Sequence, residues 1–246
     1  MVYSVYDMRR FYKMRPGRLV RRMINSHLRD LWSDDCEGLR VCGIGFVAPY
    51  LSRFAEKAER CFCLMPKVIN VNHWPESAQA ANLTCLTSSD FLPIETESLD
   101  RVVVIHGLEY AEHQDALMQE LWRVLKSNGR VIFVVPNRIG LWSRADWTPF
   151  GHGSPYTSMQ LAELLKSHHF VVENSGKALF MPPVQSFIAL RVIYFFEILG
   201  KFLFPGLAGV QVIEASKQVF GGVTGHKARA NGMRRILVPE GAPSPA

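Results

Sequence analysis

The chain has 246 residues, 48% of them apolar and 20% charged, with a net charge of +6 and five cysteines. That length suits one large domain or one domain with an appendage, and the composition excludes a disordered or collagen-like chain. Cys36, Cys42, Cys61, Cys63 and Cys85 are irregularly spaced and lack histidine partners, which argues against a disulfide framework or a zinc site. They point instead to free thiols in a reducing, cytoplasmic compartment.

The first thirty residues hold no uninterrupted apolar stretch, so no secretory signal is expected. Residues 5–15 and 17–32 read as helices separated by Pro16-Gly17. In the second, Leu19, Val20, Met23, Ile24, Leu28 and Leu31 recur at helical spacing. Over residues 9–29 the charges are all basic, from Arg9, Arg10 and Lys13 to Arg22 and Arg29. Such a run is a solvated face or a contact for an anionic surface.

Strand–helix alternation follows. Residues 39–42 form a first strand, Gly43-Ile44-Gly45 turns, and a helix over 49–58 carries Pro49 in its first turn. Arg60 to Met65 is a second strand with Cys61 and Cys63 on one face. Residues 66–82 are irregular around Pro75, and 83–87 form a third strand. Asp100 leads into Val102-Val103-Val104-Ile105, an apolar run of the kind found in buried parallel strands. A helix over 112–126 is expected to stop at Asn128-Gly129, and Arg130 to Val135 is a fifth strand closed by Pro136.

A long loop, 136–156, precedes a helix that runs to about His168. Thr157 and Gln160 form its capping box, and Tyr156 and Leu161 its hydrophobic staple. Phe170 to Glu173 is a sixth strand, residues 184–203 an apolar helix, and Val210 to Ala215 a last strand. Arg191, Glu197, Lys201 and Pro205 interrupt the apolar stretch, whereas a spanning helix needs about 20 mostly apolar residues. It therefore reads as a helix covering the sheet. The pattern predicts an α/β fold, a doubly wound, mostly parallel seven-stranded sheet with N-terminal helices. It divides into a basic helical cap (1–35), the sheet domain (36–220) and a flexible basic tail (221–246).

Gly43-Ile44-Gly45 stands where such a sheet admits a ligand, because glycine lets backbone N–H groups approach it closely. His106 follows the fourth strand and suits either lining that pocket or acting as a base, or else a bond to backbone. The loop Pro149-Phe150-Gly151-His152-Gly153-Ser154-Pro155-Tyr156 sets a histidine between two glycines. Asn137, Arg138, Trp142, Arg144 and Asp146 share its long connection, whose length suggests function. His73-Trp74-Pro75 reads as a surface loop with a packed tryptophan.

Four segments occur in order: Leu92-Pro93-Ile94, Glu97-Ser98-Leu99-Asp100, His106-Gly107-Leu108-Glu109-Tyr110, and the run from Glu120 to Arg130. Pro136-Asn137 follows them. With these, residues 38–175 resemble class I S-adenosylmethionine-dependent methyltransferases of the methyltransferase type 11 group. The resemblance implies a Rossmann-like methyltransferase fold with S-adenosylmethionine at the carboxyl ends of strands one to four. Its contacts would be Gly43, Ile44, Gly45, Leu64, Met65, Ser88, Ser89, Asp90 and His106. The chain departs from the pattern at several points. Val41 replaces the acid before the glycine turn, Val47 the third glycine, Leu64 or Met65 the ribose-binding acid, and Ser88 the adenine-facing Asp. Asn70, Asn72 and Ser89 are candidate substitutes.

The implied function is in-line methyl transfer to a small molecule. His106 and His152 are the candidate bases, and Asn137, Arg138, Trp142, His152 and Tyr156 the substrate side. Replacing both Gly43 and Gly45 by Asp is expected to abolish cofactor binding in a folded protein. The alternative is an inactive methyltransferase-like scaffold with a protein partner or a second copy of the chain. The basic helices and the apolar helix also allow contact at the periphery of a membrane. A nucleic-acid partner is not expected, since no stacking motif or groove-reading helix is evident.

Overall fold

The computed structural model describes residues 4–32, 36–67, 73–75, 79–184, 197, 200–203 and 206–219. Its strands are β1 (Arg40–Gly45), β2 (Arg60–Pro66), β3 (Thr84–Thr87), β4 (Leu99–Ile105), β5 (Leu125–Pro136), β6 (Phe170–Ala178) and β7 (Val210–Lys217). They form one sheet in the order β3-β2-β1-β4-β5-β7-β6. The first five strands are parallel, and β7 runs antiparallel between β5 and β6. The chain winds outward from β1 to β3 and returns to β4, so the winding reverses between β1 and β4. Open α/β sheets bind ligands at that crevice.

Strand residues alternate between two apolar layers. Val41, Cys61, Cys63, Val103, Ile132 and Val212 face α1 (Val5–Lys13), α2 (Arg15–Leu31) and α3 (Ala48–Ala55). Cys42, Leu64, Val102, Val104, Val131 and Phe133 face α4 (Gln114–Val124) and α5 (Ser158–Ser167). Ser4 opens α1 with a capping box to Asp7, and Thr157 opens α5 with one to Gln160, which satisfies the first free N–H groups of each helix.

The joint between α1 and α2 is at Met14, not at Pro16-Gly17. Met14 is extended, with ψ of 160°, and Pro16 lies in the first turn of α2, where a missing N–H costs nothing. Gly17 is needed for packing: a Cβ there would stand 2.1 Å from the carbonyl oxygen of Phe11. The helix expected over 112–126 is shorter, and the chain passes directly from α4 into β5. Asn128 adopts φ of 65° within β5, so Asn128-Gly129 turns inside a strand rather than ending a helix. The register against β4 shifts between Leu99 and Arg101.

The helix over 49–58 starts and ends earlier, at Ala48 and Ala55, and β6 extends well beyond Glu173. Of the helix expected at 184–203, residues 197 and 200–203 are helical, and most of the rest lies outside the described residues. So do 68–72, 76–78 and the tail. Four cysteines are buried and Cys85 is exposed. Burial pushes the Cys61 and Cys63 thiols up to about 12, so they stay protonated and inert.

Glu214, fully buried in β7, joins the end of α2 to β5 and β6. Its carboxylate accepts from Trp32 Nε1 at 2.8 Å, Arg130 Nη1 at 3.0 Å and Asn174 Nδ2 at 2.6 Å. Glu214→Ala should destabilise the protein by about 3 kcal/mol, because it strands buried donors and a guanidinium. The shift of the urea midpoint measures this.

Candidate functional site

The site is built where β1 and β4 end side by side, with Ile44 paired to Val104 and Gly45 to Ile105. Gly45 has φ of +95°, and a Cβ on it would lie 2.3 Å from the Ile105 carbonyl oxygen. A Cβ on Gly43 would lie 2.8 Å from the Leu51 side chain of α3. Gly45 is thus required by the chain's own backbone packing, and Gly43 is crowded by a side chain, which corrects the expectation that their double replacement by Asp leaves the fold intact. The turn continues into Phe46 and Val47, both buried.

His106 is fully buried, with φ of 52°, a left-handed conformation rare outside glycine and asparagine. It does not stand at an open mouth, because Tyr12 of α1 lies over it. Tyr12 Oη is 2.8 Å from Nε2, and Glu109 Oε1 is 3.1 Å from Nδ1. Tyr50 of α3 donates its hydroxyl to Tyr12 Oη at 2.9 Å. With Tyr50 as donor to Tyr12, the hydrogen-bond network assigns the Tyr12 proton to Nε2 and the imidazole hydrogen to Nδ1, facing Glu109. The Tyr12 ring stacks on Phe46 at 5.6 Å, and Phe150 packs on the imidazole at 4.8 Å.

Burial raises the Tyr12 hydroxyl well above its ordinary range, with Tyr50 and Glu109 adding to the rise. Burial likewise raises Tyr50 and Tyr156, the latter with help from the charge of Glu109. The buried atoms that lack a hydrogen-bond partner among the described residues include Glu109 Oε2 and the Tyr156 hydroxyl, both near this histidine. Such atoms are unusual in a native interior and call for a donor or an acceptor.

The remaining sequence candidates fall into three groups. Leu64 and Met65 end β2 as buried members of opposite layers. Leu64 has no side-chain acceptor and Met65 only a weak thioether one. Ser88 Oγ accepts from the Asp90 N–H at 3.3 Å, and the Asp90 carboxylate pairs with His113 Nδ1 at 3.0 Å on an exposed face. Ser89 is half-buried beside them. Asn70 and Asn72 lie outside the described residues.

In the long loop, Asn137 Nδ2 donates to the carbonyls of Gly206 and Ala208, and the buried Trp142 Nε1 to that of Met181. Arg138 Nε donates to Pro155 O at 3.1 Å. His152 Nε2 lies 2.7 Å from Asp146 O. Gly153, with φ of +76°, and the Ser154 N–H press onto the Glu109 carbonyl, so this loop seats directly against the histidine chain. Tyr156 donates its backbone N–H to Pro136 O at 3.1 Å. Trp74 is buried and His73 exposed.

Sequence reasoning missed Tyr12, Tyr50 and Phe150. Glu109 was legible in principle, three residues after His106. Among the described residues there is no cluster of three or more His, Cys, Asp or Glu able to hold a metal ion.

This architecture is a class I S-adenosylmethionine-dependent methyltransferase-like fold. Residues 39–133 match the family model described as a methyltransferase domain. An S-adenosylmethionine-dependent methyltransferase from Mesorhizobium loti is 12% identical, with a TM-score of 0.56, covering 78% of this chain and 96% of its own. One from Archaeoglobus fulgidus is 18% identical, with a TM-score of 0.55, covering 80% and 94%. The [4+2]-cyclase SpnF is 17% identical, with a TM-score of 0.56, covering 82% of each chain. No curated protein matches significantly. Identities this low carry the fold and leave the reaction to the site.

Tyr12→Phe should lower stability by about 1–3 kcal/mol, since the Tyr50 hydroxyl and His106 Nε2 both lose a buried partner. Tyr6→Phe, on the exposed face of α1, should leave the thermal midpoint unchanged. The raised tyrosines also set an alkaline limit. Their contribution is intact below the ordinary tyrosine value near pH 10. It is lost above that pH, where the unfolded chain ionises first, by about 1.4 kcal/mol per pH unit for each tyrosine. Denaturant titrations across that range measure the slope.

Proposed function

We propose that the protein is an S-adenosylmethionine-dependent methyltransferase acting on a small molecule. One observation carries this reading: His106, oriented by Glu109 and capped by Tyr12, sits at the end of β4 against the glycine turn. A strained, doubly hydrogen-bonded imidazole at the switch point of an open sheet suits a base more than a structural filler.

The residues fit the cofactor at one end. The glycine turn and the unpartnered Oε2 of buried Glu109 suit its amino-acid part, which bears a cationic ammonium group. They do not fit it conventionally at the ribose, where Leu64 and Met65 offer no carboxylate. When bound, S-adenosylmethionine supplies an electrophilic methyl group on a sulfonium. The chain's own part is to hold and to deprotonate. Glu109 Oε1 keeps the proton on His106 Nδ1, which leaves Nε2 basic. Nε2 accepts the Tyr12 proton at rest and takes one from a substrate hydroxyl or amine when Tyr12 gives way. The aromatic walls, Phe46 and Phe150, exclude water from that exchange. Arg138 and Tyr156, on the loop beside Glu109, are the nearest candidates to orient the substrate.

A second reading is favoured by Leu64 and Met65: a methyltransferase-like scaffold that no longer methylates and binds a protein partner or a second copy. The fold allows other roles, as the cyclase shows for itself.

Calorimetric titration with S-adenosylmethionine and S-adenosylhomocysteine separates the two readings. Micromolar binding is expected under the first, and no binding at millimolar ligand would overturn it. His106→Asn tolerates the left-handed backbone. It should keep cofactor affinity and lower turnover by roughly 10²–10⁴-fold, the range of general-base removal.

A further inference from the structure

On α2, Val20, Ile24 and Leu28 enter the core, while Arg21, Arg22 and Arg29 are exposed. Arg53 in the last turn of α3, and Lys57 just beyond it, face them. An open cavity of about 880 Å³ lies between the two helices. Its walls bring these five cations together against two carboxylates, Glu56 and Glu197. Glu197 is engaged elsewhere, accepting the backbone N–H groups of Leu179 and Met181 at 2.9 and 3.1 Å. Arg21, Arg22 and Arg29 join no ion pair among the described residues.

An apolar rim adjoins this basic concavity. Glu197 lines the cavity, and four residues further along the chain stands Lys201. The next two residues, Phe202 and Leu203, are 80% and 58% exposed. Cations without carboxylate partners favour phosphate oxygens, and protruding apolar side chains beside them form the composition of an interfacial anchor. Among the described residues no helix is long and apolar enough to cross a membrane.

We propose that this face docks on an anionic phospholipid membrane. A phosphate headgroup lies among Arg21, Arg22 and Arg29, and Phe202 and Leu203 enter the interface. The exposed apolar rim favours a headgroup over a soluble phosphate compound, which has no use for it.

Vesicle sedimentation tests the proposal with the full chain and is independent of any methyl transfer. The protein should pellet with phosphatidylcholine vesicles containing phosphatidylserine, stay in solution with phosphatidylcholine alone, and be released by salt. The double variant Arg22→Gln/Arg29→Gln should weaken partitioning about 25-fold, at about fivefold per cation removed. Phe202→Ser should weaken it with the salt dependence kept. Lys166→Gln, on α5, should change nothing. All three sets alter exposed side chains, and circular dichroism checks their folding. Equal pelleting on neutral vesicles, no pelleting on either, or an equal loss with Lys166→Gln would overturn the proposal. So would release by inorganic phosphate at constant ionic strength, which would assign the cavity to a soluble ligand.

Discussion

A histidine with no exposed surface needs a protein partner for each ring nitrogen. His106 takes one from the N-terminal helix and one from the loop after its own strand, and the molecule is organised around that pair of bonds. Through Tyr12 it fixes α1, and through Tyr50, one bond further, it fixes α3. Through Glu109 it fixes the loop of Gly153 and Ser154, which rests on the Glu109 carbonyl. Three segments far apart in sequence therefore meet at the crevice between β1 and β4. The aromatic rings around them complete an apolar shell in which each hydrogen bond is stronger than in water, and each unmet one more costly.

The N-terminal helices are part of this core. Met8, Phe11, Val20, Ile24 and Leu28 are fully buried in the layer that also holds Val41, Val103 and Ile132. Their basic side faces outward because their apolar side is taken up by the sheet. The same amphipathic geometry closes the glycine turn and builds a cationic wall on the opposite surface of α2. Core and surface are thus consequences of one helical period.

Much of the sheet was legible because its strands are short apolar runs between breakers, a pattern set by burial on both faces. Val102 to Ile105 and Arg130 to Val135 are examples. The boundary between α4 and β5 was not legible. Asn128-Gly129 reads as a helix stop by local rules, and only pairing with β4 draws Leu125 into the sheet. At the site, the glycine turn and His106 could be read locally. Tyr12 could not, since 94 residues separate it from its histidine partner and a tyrosine on an amphipathic helix carries no signal of its own. The purpose of Gly45 was likewise hidden: its lack of a side chain serves the backbone of β4, which only the tertiary structure brings within reach.

The bond between Trp32 and Glu214 spans 182 residues. A ribosome adding about 5–20 residues per second needs about 10–40 s to make the stretch between them. Throughout that interval α2 exists without its anchor in β7, and the strand that completes the sheet between β5 and β6 has not been made. The Trp32 indole therefore stays without this carboxylate, and the gap between β5 and β6 unfilled, until most of the described chain has been made. The histidine chain, whose members all precede β7, is by contrast complete in sequence before that anchor is made.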